Sequence, residues 1–396
     1  MTRSGRIGNF LERDRQEKQG GSDKPEALGG LANNIFAKEA ENSKDRSNWP
    51  VYFFLIVFLF LSFLCIHYQK TRNFPTQSSK LISWTTDLAG RRVALPGIID
   101  SVATLGSTPI LNSLLEILGQ GHKICNQPTL VHDISGRWRM HKIFAPQLTE
   151  APFLRDRNNE LILENLLLVS PSLSITMTPS YLDSLERLNL PVVWVDWATT
   201  EKMLETVGFL GEVFNQKTRA TEFISYFHSR LELARAITAD IPPSEKKTIV
   251  YAFPRPYLTP EEPTENLLER AGAMSLTFNF SKRGLWFYSP EDLLAWDPEA
   301  IFYTDYSHAL ALKSDPRLTA LRAIKNDALY KIPTVGHMWS GHTVEAPLVA
   351  LWMVHRLYPQ LYSRQELIAE MISFYGDFFD YAMSPALAGE IIDGGW

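Results

Sequence analysis

Cysteine is almost absent, with 2 in 396 residues. That excludes a disulfide scaffold, and the lack of any Cys-x-x-Cys pair excludes a zinc ribbon. A charge excess of one sign is also missing. Lys and Arg number 39 against 44 Asp and Glu, a net charge of −5, so nothing points to a nucleic-acid partner. The chain has no P-loop, no dinucleotide fingerprint and no nucleophile elbow. No repeat with a period of roughly 20–50 residues is visible. A mean hydropathy of −0.12 excludes a polytopic membrane protein. What remains is an ordinary globular mixture, 45% hydrophobic, 12% aromatic and 21% charged. At about 150 residues per domain the length allows two or three folding units.

One long apolar run stands out. Val51–Ile66 (VYFFLIVFLFLSFLCI) carries no charge. At about 1.5 Å per residue it reaches about 24 Å, a little short of a bilayer core, and Trp49, Tyr52 and Tyr68 suit the interfacial belts that extend it. A buried core helix would show a polar face, and this run offers only Ser62. The 48 residues before it hold nine Lys/Arg and eight Asp/Glu with few aromatics, so they read as a disordered polar tail. A cleaved secretory signal has a much shorter leader, so residues 49–68 read as an uncleaved transmembrane signal anchor. Cys65 closes a segment that resembles a bacterial lipid-anchor site, but Leu64 is too large for one.

After a linker at 69–80, short apolar runs alternate with helical patterns. Strands are expected at 92–95, 101–105, 123–126, 173–177, 192–196, 248–253, 300–304 and 329–333. Helices are expected at 110–118, 161–169, 179–188, 200–214, 217–238, 264–271, 289–295, 318–323, 344–358 and 364–379. Such alternation predicts parallel sheets covered on both faces. The longest pattern, Lys217–Thr238, places Phe223, Tyr226, Phe227, Leu231 and Leu233 among charged residues and stops at Pro242-Pro243. It has a βα set on each side. The fold expected is therefore α/β: two lobes with mainly parallel sheets (81–216 and 240–396), joined by a single long backbone helix (217–239). A ligand would bind between the lobes, at the carboxyl ends of the strands.

Several segments carry a resemblance. They are Asp87–Pro96 (DLAGRRVALP), Leu163–Ile175 (LENLLLVSPSLSI), Leu190–Val193, Ser289–Ile301 (SPEDLLAWDPEAI), Ala323–Pro333 (AIKNDALYKIP) and Glu345–Pro359. In order and spacing, over about residues 87–392, the chain resembles the substrate-binding proteins of iron–siderophore and cobalamin ABC importers. Ser172 and Glu299 depart from it, standing where that family prefers Asp. The resemblance implies capture of a metal chelate outside the cell membrane, without catalysis and without a covalently bound cofactor. It implies delivery to a permease whose ATPase subunits are separate, and a monomer held to the membrane by its N-terminal helix. It also implies that Glu164 and Glu291, which open matching helices in the two lobes, dock onto permease arginines. The plainer alternative is an acidic residue favoured by the helix dipole.

The loops expected to line the cleft are rich in Arg, Trp, Tyr and His. Arg137 and Arg139, flanking Trp138, suit anionic ligand atoms. Trp197, Arg255, Tyr257, Trp286, Tyr306, His308 and Trp339 add aromatic walls and polar contacts. His337 and His342, in a loop flanked by Gly336 and Gly341, are the candidates for touching a chelated metal, with His132 and His141 in another cleft loop. Core packing is the alternative for each tryptophan. Gly106–Pro109, before a helix, is a weak candidate for an anion. Two other functions stay open. One is a bilobed chelatase-like enzyme, which needs a His–carboxylate pair such as His342 with Glu345. The other is a membrane-anchored ligand sensor.

Overall fold

The computed structural model describes residues 83–106, 108–252, 257–281 and 284–395. The tail, the run Val51–Ile66, Cys65, the linker and Arg255 lie outside the described residues. Among the described residues no helix is long and apolar enough to cross a membrane.

Among the described residues nine strands form three sheets. β1 (Ser83–Thr86) and β2 (Arg92–Leu95) pair antiparallel. Their turn is built on Asp87, which is buried and accepts from the N–H of Ala89, Arg91 and Trp194 and from the Arg91 guanidinium. Gly90 at φ +77° supplies the left-handed residue the turn needs. β3 (Val102–Leu105), β4 (Leu173–Thr176) and β5 (Val192–Trp194) form a parallel sheet in the order β3-β4-β5. Ile124 adds a parallel bridge beside Val102. β6 (Thr248–Ala252), β7 (Met274–Ser275), β8 (Ala300–Tyr303) and β9 (Leu329–Lys331) form a second parallel sheet in the order β7-β6-β8-β9. β3, β4, β6 and β8 are buried along almost their whole length, as strands covered on both faces must be.

The two parallel sheets share one plan. The bridge at Ile124 stands to β3 as β7 stands to β6, and β4 and β5 follow as β8 and β9 do. The residues before the central strands show the same device in different chemistry. Ser172 Oγ accepts from the N–H of Asp100 and Ser101, while the Glu299 carboxylate accepts from the Thr248 N–H at 3.0 Å. Each clips the start of the neighbouring strand, so either side chain serves at this position.

The helix Lys217–Ile237 lies between the sheets in sequence. Ala220, Phe223, Phe227, Leu231 and Ala234 are its buried residues, an i, i+3, i+4 stripe that packs on the helices Thr200–Val213 and Ala346–Leu357. On its partly polar side Arg219 donates to the carbonyls of Ile117 and Phe378 and pairs with Asp380 at 3.1 Å. The long helix is thereby tied to the first lobe and to the C-terminal helix Arg364–Phe379. Several expected elements differ. Residues 123–126 supply only a bridge, and residues 318–323 hold a short 3-10 turn followed by the helix Arg322–Lys325. The segment after β8, expected as a loop, is a helix over Tyr306–Ser314, started by the Asp305 side chain accepting from the Ser307 N–H.

Candidate functional site

The carboxyl ends of both parallel sheets feed the segments that meet across the lobes. From the first lobe come Thr108, Ser113, the 127–141 loop after the Ile124 bridge, and Trp197 just past β5. From the second come Thr304 and Asp305 after β8, and the 334–342 loop after β9. Ser113 Oγ donates to the Gly336 carbonyl at 2.7 Å. Arg137 donates to the Thr304 carbonyl at 2.8 Å, approaches Met338 Sδ at 3.6 Å and lies 3.6 Å from the Asp305 carboxylate. His337 Nε2 is 3.4 Å from Thr108 Oγ1.

The seam between these contacts is lined by imidazoles and indoles. Trp138 stands 5.5 Å from His337, 5.2 Å from His132 and 6.3 Å from His141, ring centre to ring centre. Trp197 stands 6.1 Å from His337 and 5.6 Å from His342. Trp138, Trp197, His337 and His342 are therefore brought together, two from each lobe. Burial drives two of these imidazoles to the neutral form: His337 falls to about 3 and His132 to about 4, the latter helped by the positive charge of Arg155. Neutral rings keep nitrogen lone pairs available to a metal or to hydrogen-bond donors.

This burial sets a sign for stability. The folded pKa of His337 and of His132 lies below the unfolded value near 6.5, so the unfolded chain takes up protons first. Their contribution is complete above about pH 6.5 and is lost as pH falls toward 4 and 3. The urea midpoint of the wild-type protein is expected to drop over that window, and His337→Asn to flatten the drop. A midpoint that stays constant between pH 6.5 and 4 would contradict the burial described here.

The remaining sequence candidates are spread around this seam. Trp339 is fully buried and packs on Trp352, while its carbonyl accepts from Tyr251; it belongs to the core rather than to a cleft wall. Tyr257 packs on Tyr288 in the second lobe's smaller core. Trp286 is exposed beside Leu285 and Phe287, at a segment bridged to Leu258 after β6. Tyr306 donates to the Gly394 carbonyl. His308 is half-buried, its Nδ1 3.3 Å from Thr304 Oγ1. Arg139 is half-buried next to Trp138. Glu164 and Glu291 are both exposed, each the second residue of a seven-residue helix.

The Glu345–His342 pair does not form. Glu345 is buried and its carboxylate accepts from the backbone N–H of Gly336 (3.1 Å) and His337 (2.6 Å) and from the Tyr375 hydroxyl. The partner of His342 Nδ1 is Glu261, at 3.1 Å. Sequence reasoning also missed Glu116, which lies 2.8 Å from His141 Nδ1 in a fully buried pair beneath Trp138. Burial pushes the Glu116 carboxyl up and His141 pulls it back. Arg155, another unforeseen residue, is buried and donates to the Gly106 carbonyl and to Asn159. None of these had a local signal, because each is fixed by a contact at least 20 residues away or by burial alone. Among the described residues no group of three His, Cys, Asp or Glu is set to hold a metal. A metal arriving inside a chelate needs fewer protein ligands than a bare ion does.

A groove of about 1030 Å³ opens on the flank of the seam, between Thr199 and Glu201 of the first lobe, Glu262 and Arg270 of the second, and His228 and Arg235 of the long helix. Gly341 lines it, and a Cβ there would lie 2.3 Å from the Pro263 backbone, so the loop passes where only glycine fits. The groove carries both signs of charge.

Two parallel sheets of the same plan, a stiff helix between them and a seam at their strand ends define a bilobed ligand-binding protein of the type that clasps its cargo between lobes. Residues 145–335 match the model of the periplasmic binding protein family. Among solved structures it is similar to a periplasmic solute-binding protein from Veillonella parvula (20% identity, TM-score 0.67, covering 79% of this chain and 97% of that one). It is also similar to the molybdate-bound MolA of Haemophilus influenzae (20%, 0.64, 76% and 99%) and to Helicobacter pylori CeuE in a Ni-His complex (16%, 0.60, 77% and 98%). No curated protein matches the sequence.

Proposed function

We propose that this chain captures a metal chelate in the seam between its lobes and hands it to the permease of an ABC importer, with no chemical change to the cargo. The observation that carries the reading is the meeting of Trp138 and Trp197 with His337 and His342 at the carboxyl ends of both sheets. Indole faces suit a large, partly flat complex, and neutral imidazoles suit an open metal position or the chelator's polar edge. Arg137 and His308 stand at the rim of this seam, and Arg139 lies beside Trp138. No covalently bound cofactor is needed. The folded part works outside the cell membrane as a monomer, held by the apolar run Val51–Ile66, and ATP hydrolysis belongs to separate subunits.

Two tryptophans in the seam give the test. Intrinsic fluorescence is measured while ferric citrate, a ferric trihydroxamate, haemin, cobalamin, nickel-histidine and molybdate are added in turn. One of them is expected to quench saturably, and Trp138→Phe with Trp197→Phe is expected to remove most of that signal. Silence across every complex would refute metal-chelate capture. Turnover of the added complex would instead favour the chelatase reading.

A further inference from the structure

The helix Ile110–Ile117 of the first lobe is buried along all eight residues, yet two polar side chains stand side by side in it. Buried polar groups are found with partners. Asn112 serves its own lobe, where Thr104 Oγ1 donates to its Oδ1 at 2.8 Å. Ser113, 0% exposed, serves the other lobe. Its hydroxyl donates to the carbonyl of the buried Gly336 at 2.7 Å, 223 residues along the chain. The Arg137 contacts also cross the seam, but at a partly exposed rim. The Ser113 bond is enclosed, where a hydrogen bond is stronger and its loss strips a buried carbonyl of its donor.

The peptide that joins Gly336 to His337 is gripped at both polar ends. Ser113 holds its carbonyl, and Glu345 accepts from its N–H at 2.6 Å. The His337 ring has weaker ties of its own. Nδ1 lies 3.2 Å from the carbonyl of Met338, which moves with the same loop, and Nε2 lies 3.4 Å from Thr108 Oγ1. The place of the imidazole beside Trp138 and Trp197 is therefore set by the backbone from which it hangs. We propose that Ser113 is a positioning residue for the seam: by holding the Gly336 carbonyl it fixes the 336–337 peptide, and through that peptide it aims His337 of the second lobe at the two tryptophans of the first. This rests on the capture reading above and adds a residue that sets the geometry of that site. A loop already fixed in place gives up less freedom when cargo binds.

Carbon-13 at the Cε1 of every histidine in the full chain lets NMR report the ring directly, with no ligand present. The His337 signal, assigned by its loss in His337→Asn, is expected to carry the ring-current shift of its neighbouring indoles. Ser113→Ala is expected to move that signal and to leave in place those of His228 and His355, which lie on other helices. Ser113→Cys, close in size and a weak donor, is expected to restore part of the wild-type shift, and it carries the test if the alanine variant does not fold. In parallel, ferric citrate, a ferric trihydroxamate, haemin, cobalamin, nickel-histidine and molybdate are titrated by tryptophan fluorescence. Whichever complex quenches the wild type is expected to bind Ser113→Ala about tenfold more weakly. A His337 signal that stays in place in the folded variants overturns the positioning role and leaves capture standing. So does a signal that moves while the affinity stays within about twofold of wild type. If no complex quenches the wild type, both fall.

Discussion

Reversing charge at Glu164 and Glu291 together, each to Lys, is expected to leave ligand affinity within about twofold and to cut import through the cognate permease by about tenfold or more. The two residues are equivalent in the fold. Each is second in a seven-residue helix, and each helix closes on a left-handed residue, Ser170 at φ 46° and Asp297 at φ 42°. Each helix then leads into the central strand of its sheet, β4 or β8. Both side chains face solvent. Glu291 accepts from Arg317 at 2.6 Å, but both partners are more than half exposed, so losing that pair costs little stability. Around Glu164 the surface is unusually apolar: Leu163, Leu167 and Leu168 are 41%, 53% and 81% exposed. Exposed leucines clustered on one short helix make an apolar patch of the kind a partner protein can cover. Transport assays on vesicles carrying the permease, with binding measured in parallel, decide the matter. Import that survives both reversals would remove the docking role.

Glu345→Ala is expected to destabilise the protein by about 3–5 kcal/mol and to loosen the 334–342 loop. The carboxylate is the partner of the Gly336 and His337 N–H groups and of the Tyr375 hydroxyl, all buried, and alanine leaves all three unsatisfied. Urea unfolding gives the stability, and hydrogen exchange at the amides of 336 and 337 gives the local effect; exchange no faster than wild type would refute the assignment. The same residue sets a pH dependence opposite to that of the histidines. Burial raises the Glu345 carboxyl to about 7 against hydrogen bonds, led by that of Tyr375, that lower it. Its folded pKa is above the unfolded value near 4.5, so its contribution is complete below that pH and is lost as pH rises through 7. In wild type the two effects overlap between pH 4.5 and 6.5, where two histidines outweigh one carboxyl and stability still climbs with pH.

Much of the scaffold was legible because its signals are local. β3, β4, β5, β6, β8 and β9 are short apolar runs of β-branched and aromatic residues, and each lies within two residues of its expected bounds. The long helix was legible from its apolar spacing and the two prolines after it. β1 and β7 were not. Ser83–Thr86 pairs only with a neighbouring exposed strand, and Met274–Ser275 is two residues long, too short to show a period. The short helix His141–Phe144 and the helix Pro385–Ile392 were hidden for a similar reason, since their patterns span little more than two turns at most. In the site, the sequence pointed to loops rich in Trp and His, and the seam is made of those loops. It did not distinguish Trp339, which sinks into the core, from Trp138, which faces His337. Nor did it reveal that Glu345 serves backbone amides rather than an imidazole, because that choice is made by how the 334–342 loop folds back on the helix Ala346–Leu357.

The arginine that fastens the long helix to both the Ile117 and Phe378 carbonyls has a mechanical consequence. A connecting rod of 21 residues, about 31 Å long and pinned near its start, leaves the jaws little arc through which to swing. Loaded and empty forms would then share nearly one outline. A downstream receptor that must tell them apart would do better to sense the cargo held between the jaws than their angle.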